Sequence, residues 1–107
     1  MVTSLNRAIL IGRAGTEPEV ATSRGGHRVA TFRLATDRPG PGGSGGTDWH
    51  TVVVWDDLVA LVERRIRKGD RVYVEGRVES REEQVRGGRR NRTEIVAEDV
   101  IVLGRRT

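Results

Sequence analysis

Residues 27–36 read HRVATFRLAT, and residues 47–57 read TDWHTVVVWDD. Both stretches alternate with the period of two that belongs to a β-strand. In the first, Ala30, Phe32 and Leu34 share one side, while Val29, Thr31, Arg33 and Ala35 share the other. The Phe32 side is the expected core side, which turns Arg33 outward. In the second, Trp49, Thr51, Val53 and Trp55 share one face, and His50, Val52 and Val54 share its reverse. Between the two lies RPGPGGSGG, residues 38–46, whose five glycines and two prolines exclude a regular element. Two neighbouring amphipathic strands joined by a flexible Gly-rich loop commit this part of the chain to a β-sheet.

The rest follows the same logic. Residues 5–13 read as a strand centred on the apolar run Ala8, Ile9, Leu10 and Ile11, ended by Gly12, Gly15 and Pro18. Asp56 or Asp57 can cap a helix that places Leu58, Leu61, Val62 and Ile66 on one face. Arg64, Arg65, Arg67 and Lys68 suit its C-terminal dipole, and Gly69 is the expected C-cap. Residues 71–81 read as a strand with Val72, Val74 and Val78 on one side and Tyr73, Glu75, Arg77 and Glu79 on the other. Arg86 to Arg92 form the tip of a basic hairpin spanning residues 81–92, and residues 93–103 form a last strand. Three strands, one helix and two strands predict an all-β chain with small α content. The expected architecture is an OB-fold, a five-stranded Greek-key barrel with its helix between strands 3 and 4. With 107 residues, the chain is expected to form a single domain.

The formal net charge is +4, and Lys68 is the only lysine among 19 basic residues. Such a balance favours a polyanionic partner. Arginine offers phosphate a planar, bidentate donor set. Arg86, Arg89, Arg90 and Arg92 surround Gly87 and Gly88, and such a cluster either clamps a phosphate backbone or is a solvated hairpin. Arg33 and Arg77 stand mid-strand as further phosphate contacts, although Glu75 and Glu79 are placed to pair with them. Trp49 and Trp55 are separated by roughly 20 Å on a straight strand. That spacing leaves open whether they are core or a stacking platform serving successive nucleotides. There is no cysteine, and His27 and His50 have no ligand spacing, so no metal, cofactor or catalytic nucleophile is expected. The chain is read as a non-enzyme with no small-molecule substrate. The apolar run at residues 8–11 is too short for a signal peptide or a membrane span, so the expected location is cytoplasmic and nucleoid-associated, without a membrane partner.

Several stretches together resemble one family. Leu5-Asn6-Arg7, Gly12, Gly15 and Pro18-Glu19-Val20 are similar to the opening of bacterial single-stranded DNA-binding proteins. VATFRLAT at 29–36, Asp48-Trp49-His50, Arg67-Lys68-Gly69, Val72-Tyr73-Val74-Glu75-Gly76 and Thr93-Glu94-Ile95 follow in the family's order. The resemblance implies an OB-fold that binds single-stranded DNA without sequence preference in replication, recombination and repair. It implies base stacking on Trp49 and Trp55, basic contacts from Arg7 and Arg81, and a subunit-assembly role for His50. It also implies a homotetramer built from two dimers, with a dimer as the alternative. The chain departs from the family where aromatics are usual: the loop at 38–46 has none, Glu83 falls near a tryptophan position, and Asn91 replaces an aromatic. The family's Gly/Pro-rich linker and acidic tip do not follow Thr107, so a tail-less or shortened member is expected. A primosomal-type OB adaptor, working mainly through protein–protein contacts with secondary DNA binding, is the alternative reading.

Overall fold

Phe32 and Leu34, placed inward by alternation, and Val52 and Val54, whose side the second stretch left open, are all fully buried in the computed structural model, which describes residues 3–43 and 45–105. They belong to β3 (Arg28–Asp37) and β4 (Thr47–Trp55), which pair antiparallel from Val29↔Trp55 to Asp37↔Thr47. Before them come β1 (Ala8–Ala14) and the short β2 (Glu19–Thr22). After them come α1 (Asp57–Arg65), β5 (Arg71–Val85) and β6 (Gly88–Gly104). β1 pairs with β5, β5 with β6, β6 with β4, β4 with β3, and β3 with both β2 and β1. The ring is therefore closed. Every pairing is antiparallel except β4–β6, which runs parallel through Val52↔Ile95 and Val53↔Val96.

This is the OB connectivity, with one more strand than expected. β1 meets β3 at Arg13↔Ala35 and Ala14↔Leu34, and β2 resumes along β3 at Glu19↔Thr31. Together they are the first barrel strand, bent at residues 15–18, where Pro18 interrupts the ladder donors. Counting them as one restores five strands with the helix between the third and the fourth.

Valines dominate the core. Val59 and Val62 of α1, together with Ile66, pack on Val72, Val74, Ile95, Ala97 and Val100, while Leu58 and Leu61 are only partly buried. The helix thus sits about one residue round from the face expected. Asp56 precedes α1 with φ 49° and makes no side-chain capping bond; its Oδ1 lies 3.3 Å from His27 Nδ1 instead. Gly69 is not the cap either. Ile66 ends the helix in extended geometry, and the Gly69 N–H donates to the Ala14 carbonyl at 2.7 Å, tying the following turn to β1.

Between Glu75↔Asp99 and Gly76↔Ala97 the ladder skips Glu98, an extra residue that bulges β6. A Cβ on Gly76 would stand 2.0 Å from the Val96 carbonyl oxygen, so only glycine permits the backbones to approach there. Val78 keeps the parity of Val72 and Val74 and pairs with Ile95, but it is more than a third exposed. The β5–β6 ladder continues from Gly76↔Ala97 to Val85↔Gly88; past Ile95, where β6 leaves β4, it is a two-stranded arm with Arg86 and Gly87 at its tip. The Gly-rich segment holds a short 3-10 turn, Pro41–Gly43, where no regular element was expected. Its ends are joined by Arg38 N–H donating to the Gly46 carbonyl at 2.9 Å and by an Arg38–Asp48 ion pair that holds the Asp48 carboxyl below its usual range.

Candidate nucleic-acid interface

The outward residues of β3 and β4 form one surface. In register, Ala35 faces Trp49, Arg33 faces Thr51, Thr31 faces Val53 and Val29 faces Trp55. Trp49 is half exposed. Its ring rests on Gly15, where an added Cβ would come within 2.2 Å of an indole carbon, so the bend after β1 works as a seat for the indole. The Arg33 guanidinium lies over the same ring, 4.9 Å from its centroid. Among the described residues no carboxylate pairs with Arg33, so the expected partners Glu75 and Glu79 are not its partners. Trp55 lies at the far end of the same strand face and is partly buried.

Between the tryptophans the surface is filled in. Val53 and Val96 are both buried although they point outward, covering each other across the parallel pairing. Arg77 stands opposite Val96, which gives one outward row of Thr31, Val53, Val96 and Arg77 across four strands. Arg77 donates to Glu79 at 2.7 Å and has Glu98 at 3.6 Å.

From that row the arm extends outward, and its two faces carry different pairs. Arg81, Glu83, Arg90, Arg92 and Glu94 have the parity of Arg77 and Val96; Glu82 and Arg89 have the opposite parity. Arg81 reaches Glu94 at 3.5 Å, and Arg92 lies 3.7 Å from the same carboxylate, which is nearly buried. Glu83 accepts from Arg90 at 3.0 Å and from Arg92 at 3.3 Å. Those two guanidiniums, Arg90 first, hold the Glu83 carboxyl below its ordinary range. Arg89 reaches Glu82 at 3.1 Å on the other face. Of the arginines read as phosphate contacts in this arm, Arg86 at the tip is the one with no acidic partner among the described residues.

Arg7 and His50 lie apart from this surface. Arg7 precedes β1 and pairs with Glu75, which also accepts the Tyr73 hydroxyl at 2.6 Å. The hydroxyl first, and Arg7 after it, hold the Glu75 carboxyl low, and the same bond pushes the Tyr73 phenol up. His50 is part-buried, and its Nε2 shares a 2.9 Å hydrogen bond with the Thr36 hydroxyl.

Sequence reasoning missed one surface. Ile9, Ile11, Ile101 and Leu103 are each about half exposed, and Ile11, Tyr73 and Ile101 form a row across β1, β5 and β6. The period-2 rule applied to Ala8–Ile11 would have found it. Ala8 and Leu10 pack on the core, so Ile9 and Ile11 must face away. Among the described residues no group of three or more histidine, cysteine or acidic side chains is placed to hold a metal ion, and no helix is long and apolar enough to cross a membrane.

A closed OB barrel with an exposed indole, an arginine over it and a charged hairpin arm beside it defines a nucleic-acid-binding class of surface. Residues 5–103 match the family model described as the single-strand binding protein family, and the chain belongs to that family. It is similar to single-stranded DNA-binding protein 1 of Chlorobaculum tepidum, 36% identical over 110 residues, covering 97% of this chain and 68% of that protein. The single-stranded DNA-binding protein of Rhizobium meliloti is 37% identical, covering 90% of this chain and 59% of its own length. That of Neisseria meningitidis is 37% identical, covering 96% and 62%. The chain thus spans roughly three-fifths to two-thirds of these curated relatives. Among solved structures, the Plasmodium falciparum SSB complex with ssDNA superposes with a TM-score of 0.83 at 38% identity, covering 96% of this chain and 98% of that one.

Proposed function

We propose that this chain is a single-stranded DNA-binding domain that holds bases by stacking and takes strands without reading their sequence. The observation that carries the reading is Trp49, half exposed and seated on Gly15 beside an arginine with no acidic partner, on the OB barrel of this family. An indole stacks on any base, because every base presents a π-face, and each stacked base contributes about 1–3 kcal/mol. Trp55 supplies a second, less exposed platform on the same strand. Arg33 and Arg77 supply cations beside them, with Arg81, Arg86, Arg89, Arg90 and Arg92 along the arm. Arg7 belongs to this set by resemblance alone, since its guanidinium is paired with Glu75. The family and the named relatives are binding proteins, which supports a non-enzymatic role in replication, recombination and repair. They do not favour the primosomal-type adaptor.

Self-association is part of the same reading. The apolar row of Ile11, Tyr73 and Ile101, flanked by Ile9 and Leu103, is a surface that a second copy would cover, and His50 joins the assembly role by resemblance. A homotetramer is the expected state, in a cytoplasmic, nucleoid-associated setting. The test is titration of the intrinsic tryptophan fluorescence with oligo-dT at two salt concentrations. Quenching that weakens with salt and is reduced in both Trp49→Ala and Trp55→Ala supports the reading. Fluorescence that does not respond, or equal affinity for duplex, overturns it. Light scattering decides between tetramer and dimer.

A further inference from the structure

In the arm two arginines close on one of the protein's own carboxylates. Arg90 lies directly across the strand from Glu83 and donates to Oε1 at 3.0 Å; Arg92, one step diagonal, donates to Oε2 at 3.3 Å. Two guanidiniums thus converge on the two oxygens of one carboxylate, the geometry in which arginines also grip a phosphate. All three side chains share the outward parity of Val96 and Arg77, and so continue the face that carries Trp49 and Trp55. The neighbouring charges on that face are Arg81 and Glu94. Glu94 is nearly buried and already engages Arg81 and Arg92, so it acts as a fixed anchor. Glu83 is the more exposed carboxylate, at the middle of the free arm, and can swing away without opening the barrel.

We propose that Glu83 is an internal competitor for DNA phosphate: its carboxylate fills a two-arginine site formed by Arg90 and Arg92, and a bound strand must displace it. The inference rests on the single-stranded DNA-binding reading and adds a residue that sets how tightly the arm engages. An ion pair at such an exposed position is weak enough to exchange. A phosphate entering the site replaces one anion by another. Counterion release from the arm is therefore smaller than its number of arginines suggests.

The experiment compares the wild-type chain with Glu83→Gln and Glu82→Gln in oligo-dT titrations from low to moderate salt. Glu82→Gln removes the same charge from the opposite face of the arm, where Glu82 holds Arg89. The expected result is a several-fold gain in affinity for Glu83→Gln, with the log–log salt slope steeper by about 0.7 for each phosphate newly contacted. Glu82→Gln should stay within about twofold of wild type, since the inference gives it no role at the Arg90–Arg92 site. Adding Arg90→Gln and Arg92→Gln to the Glu83 variant should abolish the gain. Wild-type binding with an unchanged or weakened Glu83→Gln overturns this inference alone, as does an equal gain in both single variants. Absence of binding in wild type and all variants removes the underlying reading and this inference with it. Thermal melts confirm that each variant is folded.

Discussion

Arg33 on β3 and Arg90 on β6 present the same guanidinium to the same outer surface, yet their surroundings are opposite. Arg33 lies against an indole and has no acidic partner among the described residues. Arg90 lies against Glu83, with Arg92 sharing the same carboxylate. The difference comes from the support beneath them. The β3–β4 wall rests on a valine core, so its outer residues can be apolar and aromatic without loss of order. The arm beyond the Val78↔Ile95 pair carries no residue of the hydrophobic core. A two-stranded ribbon is marginal by itself, and cross-strand pairs of opposite charge are what it has to hold its register. The charges that stabilise the arm are thus the charges a nucleic acid would need.

That contrast can be broken in order of expected effect. Phe32→Ala removes the largest fully buried side chain and should cost about 3–5 kcal/mol, read in denaturant melts, with loss of DNA binding along with the fold. Trp49→Ala should leave the melt within about 1 kcal/mol of wild type yet weaken oligo-dT binding by about 1–3 kcal/mol, roughly fivefold to 150-fold. Gly15→Val should reproduce most of that binding loss while leaving the indole in the chain, because the new side chain occupies the seat of the ring; full retention of quenching would show that the seat is not needed. Arg86→Ala, the one unpaired arm arginine, should lower the salt slope by about 0.7 and leave stability within about 0.5 kcal/mol. Arg89→Ala, paired on the opposite face, should change affinity least of all. If it weakens binding more than Arg86→Ala, the two faces of the arm are not distinct in the way described.

The wall was largely legible and the arm was not. In VATFRLAT every inward residue was assigned correctly, and in HTVVVW the two faces were separated correctly although alternation alone left open which one is core. Even there Val53 is buried on the outward side, since the parallel neighbour β6 could not be anticipated from local pattern. The arm is polar on both faces, so residues 82–92 carry no alternation of hydropathy, and β5 and β6 were each read short of their length. The ion pair of Glu75 with Arg7 left no local signal either, since the two residues lie 68 positions apart. The seat for Trp49 left no sequence signal beyond a glycine in a bend, since its partner lies 34 residues downstream.

The parallel pairing of β4 with β6 also sets when the barrel can exist. Val52 and Ile95 are 43 residues apart, and between them the chain must lay down α1, β5 and the turn of the arm. A barrel closed by contacts so distant in sequence pays its loop entropy before closure repays it, which places folding on the millisecond-to-second scale rather than the microsecond scale. During synthesis the β3–β4 hairpin emerges early with its valine face bare, and it stays unsealed until the last strand leaves the ribosome. The tryptophan wall is complete in sequence long before it has anything to lean on.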